Sequence, residues 1–480
     1  MRPPLNSPIL PYPVNPPFPA ASAQDPALAP TRRRVEIGWL MAVAFIALAV
    51  PKARIQLGPF PLHVVDVLLA GLLLMVYRRP FARRVHGPVP ALTGLFLVTV
   101  LMSEVYGAVT NAAPIGPLYM AARFALAISL AWIVPKCIES RRDLDNLCKA
   151  VTVAVGVNAA IAIGYVLPGM HNVIASTVFA IPGLDPSTPG SIIEEFGIEY
   201  EGIRTRTLVG NATFTTPFLT ALWPMAFLVY RSPATGRYWK IFALGVAIFA
   251  PVGALFTHSR MAWVAVLLVV SGVAVSGYLR GRRFLILAGL VVFAMVAFAG
   301  WDARWFGYER VSYRTREAIE DPHERWGDEA RMRSYVEPFE HVVRHPTQFL
   351  WGYGQGLGKM QRCGALDEVD RFRVSAIHSV FAAAYSGYGM IGAFAIVVLM
   401  LWCWGHTFRS VQRARRRHPA IREAWEMMML AWLGFIPWWF FGHGGATQAR
   451  GMAMVFFLVG LMLAIEKIEH RPAIGPPAVR

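Results

Sequence analysis

Apolar runs of about 20 residues recur from Ile37 almost to the C-terminus, the length an α-helix needs to cross a hydrocarbon core. Lipid offers no partner to an exposed N–H or C=O, so a spanning segment must satisfy its backbone internally. Unbroken apolar runs of this length select helices. Twelve spans are expected, near 37–51, 62–77, 90–109, 116–135, 148–168, 208–230, 239–257, 261–279, 284–301, 377–404, 424–441 and 447–466. The first two are short and read as tilted or interfacial. Composition agrees: 55% of residues are hydrophobic and 16% are charged, against roughly 25% charged in a soluble protein. The expected fold class is an all-α integral membrane protein with about 12 transmembrane helices and a large, partly helical periplasmic loop.

The basic residues decide the orientation, because loops rich in Lys and Arg stay in the cytoplasm. Arg32–Arg34, Arg78-Arg79 with Arg83-Arg84, Arg141-Arg142, Arg231 with Arg237 and Lys240, Arg280 with Arg282-Arg283, and Arg413 with Arg415–Arg417 all fall on one side of the twelve spans. The net charge of +17 is concentrated there. It is therefore topological, and a nucleic-acid partner is not expected. Residues 1–36, rich in Pro and Ala, read as a disordered cytoplasmic tail rather than a secretory signal. Spans 1–9 occupy 37–301 and include a periplasmic loop at 169–207. Residues 302–376 form the large periplasmic loop, 377–466 hold the last three spans, and 467–480 form a second cytoplasmic tail. Both termini are expected in the cytoplasm. The loop 302–376 mixes Trp and Tyr with both charge signs, which argues for folding rather than a spacer.

Four cysteines, Cys137, Cys148, Cys363 and Cys403, show no CxxC spacing. Neither a disulfide framework nor a zinc site is supported. HExxH is absent as well, so neither a metal centre nor any other cofactor is expected.

Ionisable residues in or beside a span need a reason. Thr257-His258-Ser259-Arg260 joins two apolar runs with room only for a tight turn, which sets Arg260 at the outer edge of the membrane. A snorkelling anchor is one reading. A phosphate ligand is the other, since a guanidinium binds phosphate oxygens in pairs and keeps its charge. His378 opens the span after the large loop, before Gly387-Tyr388-Gly389-Met390-Ile391-Gly392. It reads either as a structural histidine or as a base for a hydroxyl proton. Arg331 precedes His345-Pro346 and the glycine-rich Trp351–Gly358, which lacks the GK[ST] of a phosphate loop and reads as a flexible turn. Arg204 and Arg206 precede Gly210-Asn211-Ala212-Thr213, the start of a span interrupted by Pro217 and Pro224. Arg123 lies within a span and should pair with Asp66 or Glu104. His443 and Arg450 read mainly as structural.

Three of these segments, in this order, resemble the O-antigen ligase-like family, which comprises O-antigen ligases and related repeat-unit and exopolysaccharide polymerases. They are Gly210–Thr213 at a helix start, the Leu255–Ala262 turn, and the run from Arg331 through Tyr335, His345-Pro346 and the glycines to His378-Ser379 and Gly387–Gly392. Ser379 stands where the family commonly has Asn, Tyr335 where Trp is usual, and Asn211 lacks the Pro-Asn that often follows. The resemblance implies a metal-independent glycosyltransferase of the GT-C type. Its donor would be a glycan on undecaprenyl diphosphate. Carried over, His378 is the base or acceptor-orienting residue, and Arg260, Arg331 and either Arg204 or Arg206 hold the diphosphate. Arg123, His258 and Asn211 are supporting residues.

The implied partners are the lipid-linked glycan, an acceptor glycan on the same carrier or on lipid A-core, membrane lipids and a chain-length regulator. Polymerisation of a surface polysaccharide is the leading expectation, with ligation to lipid A-core as the alternative. A transporter of polysaccharide or lipid-linked sugar is the reading from another class. It would place charges at the midplane between two repeats, and no internal repeat is visible in the sequence.

Overall fold

A computed structural model describes residues 29–51, 53–57, 60–77, 87–110, 115–167, 170–178, 207–209, 212–257, 259–276, 346–352, 380–416, 419–441 and 449–470, with single residues at 289, 343 and 354. The chain starts with α1 (Ala29–Ala49) and a hairpin of β1 (Arg54–Leu57) and β2 (Phe60–His63). Next come α2 (Val64–Val76), α3 (Val89–Thr110), α4 (Ile115–Cys137), α5 (Arg141–Val166) and the short α6 (Met170–Thr177). The middle holds α7 (Ala212–Leu222), α8 (Pro224–Arg231), α9 (Arg237–Leu255) and α10 (Arg260–Ser276). The last part holds α11 (Pro346–Trp351), α12 (Val380–Ala414), α13 (Pro419–Phe441) and α14 (Ala449–Glu469).

Helix therefore stands at every expected span except 284–301, which apart from Gly289 lies outside the described residues. Among the described residues, six helices are long and apolar enough to cross a membrane: α3, α4, α5, α9, α12 and α14. The second expected span opens differently from its sequence reading. Residues 54–63 pair as an antiparallel hairpin, with Ile55 opposite Leu62, and helix begins only at Val64. The expected span at 208–230 is two helices. Pro217 is carried inside α7, whereas Pro224 opens α8, the first helical position, where a missing N–H costs nothing. The span expected from 148 starts at Arg141, because Ser140 and Asp143 form a reciprocal cap that satisfies two of the first N–H groups.

The helix ends sort onto two faces. On one, Arg231 meets Glu423 at 3.1 Å and Arg141 meets it at 3.8 Å, bringing α5, α8 and α13 together. Ser232 donates to Asp145 at 2.7 Å. Lys467 of α14 donates to the carbonyls of Pro135 and Ile138 at the end of α4. Arg141 and Arg231, set on one side by the charge pattern, thus meet in space.

Nearly every residue of α14 is buried, so it runs through the middle of the bundle against α4. Around this pair, α3 packs on α12, α5 on α9 and α1, and α13 on α10 and α12. Helices in lipid gain little from hiding apolar surface from each other, so close backbone approach through small residues carries their association. Gly434 of α13 shows this: a Cβ there would collide with the Thr220 carbonyl of α7. The Thr220 hydroxyl donates back to Gly434 O at 2.9 Å. Gly253 of α9 lies on the backbone of Ala159 in α5, less tightly, with an added Cβ 3.1 Å from Ala159 Cα. Gly434→Val should destabilise the folded protein by about 2 kcal/mol or more, the upper range for an overpacked contact that must shift backbone. Gly245→Val, which meets nothing within 4 Å, should leave stability unchanged. Denaturant titration in detergent reads both.

Candidate functional site

The face opposite the Glu423 cluster gathers the sequence motifs. The α9 helix stops at Leu255, and α10 begins at Arg260. Thr257 closes the reversal: its N–H and its hydroxyl both bond the Ala254 carbonyl, at 3.2 and 2.6 Å. The buried Thr257 hydroxyl also lies 2.7 Å from that of Thr216 on α7. These contacts fix the turn to the helix that follows Gly210-Asn211. Arg260 is the first residue of α10, so its backbone lies on this face. His258 lies outside the described residues, as does the side chain of Arg260.

The segment 207–209, just before Gly210, is held from several sides. Thr207 and Thr215 hydroxyls lie 2.8 Å apart. The Val209 N–H donates to Asn158 Oδ1 at 3.3 Å, and Asn158 Nδ2 donates to Ala49 O and Ala154 O. Arg450, in the first turn of α14, donates to the Val209 carbonyl at 3.0 Å. The same guanidinium lies over Phe214 of α7, 3.4 Å from the ring centroid, and Trp438 packs edgewise on that ring. A cation stacked on a ring out of bulk water contributes about 1–2 kcal/mol. Arg204, Arg206 and Asn211 lie outside the described residues.

Of the residues singled out for this site in the sequence, Arg123 alone has a described side chain. Its partner is Asp66, with Nε 2.7 Å from Oδ2, and its guanidinium lies 5.6 Å from the Tyr119 ring. Glu104, the other acid considered, is buried within electrostatic range of Tyr388 instead. Phe124, next to Arg123, packs edgewise on Tyr388 of α12, at 6.2 Å.

Tyr388 sits in a break of α12. Gly389 adopts φ 69° and ψ −173°, outside the helical region and in a conformation that glycine alone takes readily. The break frees the Gly387 carbonyl, which accepts from the Ser103 hydroxyl at 2.7 Å and from the Gly354 N–H at 2.6 Å. Gly352 and Gly354 also have positive φ, 74° and 73°. A Cβ on Gly352 would collide with the Gly387 carbonyl, and one on Gly389 with that of Leu350. Gly352 and Gly354, from the run that reads as a flexible turn in the sequence, instead dock backbone against backbone on Gly387 and Gly389, some 35 residues away. No local pattern signals this contact; the shared abundance of glycine in both runs was the available clue. Arg331 and His378 lie outside the described residues, and α12 begins two residues after His378.

The described contacts thus link the Arg260 turn, α7, the 207–209 segment and Arg450 at one end of the bundle, the end at which Arg123 and the break in α12 also lie. Among the described residues, no cluster of His, Cys, Asp and Glu is arranged to hold a metal ion. Asp143-Leu144-Asp145 has the spacing of an acidic metal-binding string, but Asp143 caps α5 and Asp145 takes Arg141 and Ser232, on the opposite face. The described guanidinium groups at this end, those of Arg123 and Arg450, are held by Asp66 and by the Val209 carbonyl with the Phe214 ring.

Residues 242–397 match the family model described as O-antigen ligase. The match runs from within α9 through the Arg260 turn and the dock to α12. No curated protein matches the chain.

Removing one partner of a desolvated ion pair leaves the other charge uncompensated, at about 3 kcal/mol. Asp66→Ala should therefore lower stability by about that amount. Asp66→Ala with Arg123→Met should recover most of it, measured by the same denaturant titration on both variants.

Proposed function

From the match of residues 242–397 to the family model described as O-antigen ligase, we propose that the chain is a membrane glycosyltransferase acting at the periplasmic face of the inner membrane. It transfers a glycan from undecaprenyl diphosphate to a sugar hydroxyl, and its product is a polymerised surface polysaccharide. The observation that carries this reading is the span of the family match. It takes in both the Arg260 turn and the glycine dock, which share one end of the bundle.

In this reaction the acceptor hydroxyl oxygen attacks the anomeric carbon of the donor sugar. The bond from that carbon to the diphosphate oxygen breaks, and undecaprenyl diphosphate departs with the electron pair. His378 takes the hydroxyl proton or orients the hydroxyl. Arg260, Arg331 and one of Arg204 and Arg206 meet the negative charge that grows on the leaving diphosphate. Fixed donors aimed at developing charge are worth most where water is excluded. Arg123, His258 and Asn211 support this set. A rigid helix start is a suitable seat for a base that must hold its geometry.

A second reading is ligation of the finished chain to lipid A-core, favoured by the description of the matching family as O-antigen ligase. The two share donor chemistry and differ in acceptor.

In a null strain complemented at matched expression, Arg260→Ala should reduce transfer by about 10²–10³-fold, the usual loss for one charge-stabilising donor. His378→Ala should reduce it by about 10²–10⁴-fold. Surface glycan is resolved by length on a gel, with lipid A-core alongside. Loss of long chains supports polymerisation. Long chains that persist on the carrier and fail to reach the core support ligation. Wild-type output from both variants overturns the site.

Because guanidinium groups hold the diphosphate in this reading, EDTA should change the rate in proteoliposomes by less than about twofold, with no metal-polarised step to lose. A deep block reversed by a divalent ion would overturn metal independence.

A further inference from the structure

The hairpin between α1 and α2 ends in a polar group built on α2 and α4, helices that carry none of the arginines assigned to the diphosphate. We propose that His63, Arg54, Asp66 and Arg123 form a binding site for a sugar of the acceptor glycan. The inference rests on the transfer reading above and gives its acceptor end a set of residues.

The C-terminal end of α4 lies on the Glu423 face, where Lys467 bonds Pro135 and Ile138. Arg123 is in the first half of α4, toward the opposite face. Asp66, in the first turn of α2, binds it there, with Oδ2 2.7 Å from Nε. The Tyr119 ring lies 5.6 Å from the same guanidinium. His63 is the last residue of the hairpin, immediately before α2. Arg54 pairs opposite His63, and Ile55 opposite Leu62. Side chains alternate along a strand, so Ile55 and Leu62 share an exposed face while Arg54 and His63 share the other. The Val64 N–H donates to Ala53 O at 2.9 Å and ties the base of the hairpin to α2. His63 is 9% exposed, so its ring is packed without being sealed.

The hairpin fixes the tautomer of His63. Its Nδ1 lies 3.3 Å from the Pro51 carbonyl. A carbonyl only accepts, so Nδ1 carries the hydrogen and Nε2, across the ring, carries the lone pair. Burial, with the Arg123 and Arg54 guanidinium groups nearby, holds the imidazole down to about 4. So weak a base is a poor proton acceptor near neutral pH, but its lone pair still accepts a hydrogen bond. Arg123 takes one oxygen of Asp66, Oδ2, which leaves Oδ1 as a second acceptor. The terminal N–H groups of Arg123 and the exposed Arg54 are donors. An ionised phosphate brings acceptor oxygens only, and Nε2 and Oδ1 would oppose it. Vicinal sugar hydroxyls both donate and accept, and they match the mixed set. A few convergent polar groups beside an aromatic ring, here Tyr119, are the usual make-up of a small-ligand site.

The test uses the full chain in proteoliposomes. A lipid-linked oligosaccharide is the donor, a free oligosaccharide of the same repeat unit is the acceptor, and inorganic pyrophosphate is the anion probe. It compares His63→Asn with Arg54→Gln. Asn keeps an N–H for the Pro51 carbonyl and lacks the Nε2 acceptor. A contact made equally in the ground and transition states raises KM and spares kcat. His63→Asn should raise KM for the acceptor about 3–10-fold, the usual worth of one neutral hydrogen bond. KM for the donor, kcat and inhibition by pyrophosphate should stay within about twofold, with the thermal midpoint unchanged. Arg54→Gln, on an exposed side chain, should move the acceptor KM in the same direction. Binding of the acceptor without donor, read by saturation-transfer NMR, should weaken by the same factor in each variant.

An unmoved acceptor KM in His63→Asn overturns the proposal; should that variant not fold, Arg54→Gln decides in its place. A rise in donor KM, or weaker inhibition by pyrophosphate, makes this an anion or donor site and overturns the acceptor assignment. A lower thermal midpoint with loss of kcat and no change in acceptor binding makes His63 a structural residue and overturns it too. If wild type binds the acceptor and transfers no glycan, the transfer reading fails while the sugar site stands. If wild type transfers and His63→Asn binds the acceptor equally well, the sugar site fails while the transfer reading stands.

Discussion

A peptide group without a hydrogen-bond partner is too costly to leave in hydrocarbon, and the rest of this structure depends on how that constraint is met. Helices meet it for most of the described chain. Where helix stops within the bundle, side chains and other backbones take over. Asn158 bonds the loop at Val209 as well as two helix carbonyls, and Thr257 closes the turn between α9 and α10. At the break in α12, Ser103 and the Gly354 N–H share the Gly387 carbonyl. The exceptions to regular helix collect at one end of the bundle, where non-helical backbone can line a polar surface.

The same constraint explains why glycine is placed as it is. With little apolar gain from helix association in lipid, contact must come from close fit and from polar groups between helices. Gly434 admits the Thr220 backbone, and Gly253 admits that of Ala159. At Gly352 and Gly389 the demand is stronger, because positive φ and close backbone approach coincide. These contacts give the bundle one rigid set of helix ends.

Much of this was legible along the chain. The apolar runs gave the helices, since their length and lack of alternation leave one solution in lipid. The Arg141 and Arg231 clusters gave a shared face, later seen as their meeting at Glu423. The hairpin at 54–63 was missed because Phe60–His63 continues into an apolar helix with no composition change at Val64. Asp66 and Glu104 were equal candidates for Arg123, because two acids in neighbouring spans differ only in the direction they face. The Trp351–Gly358 run read as a turn because its partner lies in another span. Arg450 stood as a weaker outer-face candidate, mainly structural, and its contacts with Val209 and Phe214 could not be foreseen because neither is near it in sequence.

The sequence by itself determined which segments are helical, which ends carry the basic charge, and which motifs recur in a known order. Those properties depend on neighbours along the chain and on the solvent around each segment. Only the tertiary structure decided that Arg123 pairs with Asp66, that the Thr257 turn is tied to α7, that two glycine runs dock, and that Arg450 clamps the loop before Asn211. Each is a contact between groups far apart in the chain. Its existence depends on helix rotation and on approach to within about 3 Å, and no local pattern encodes either.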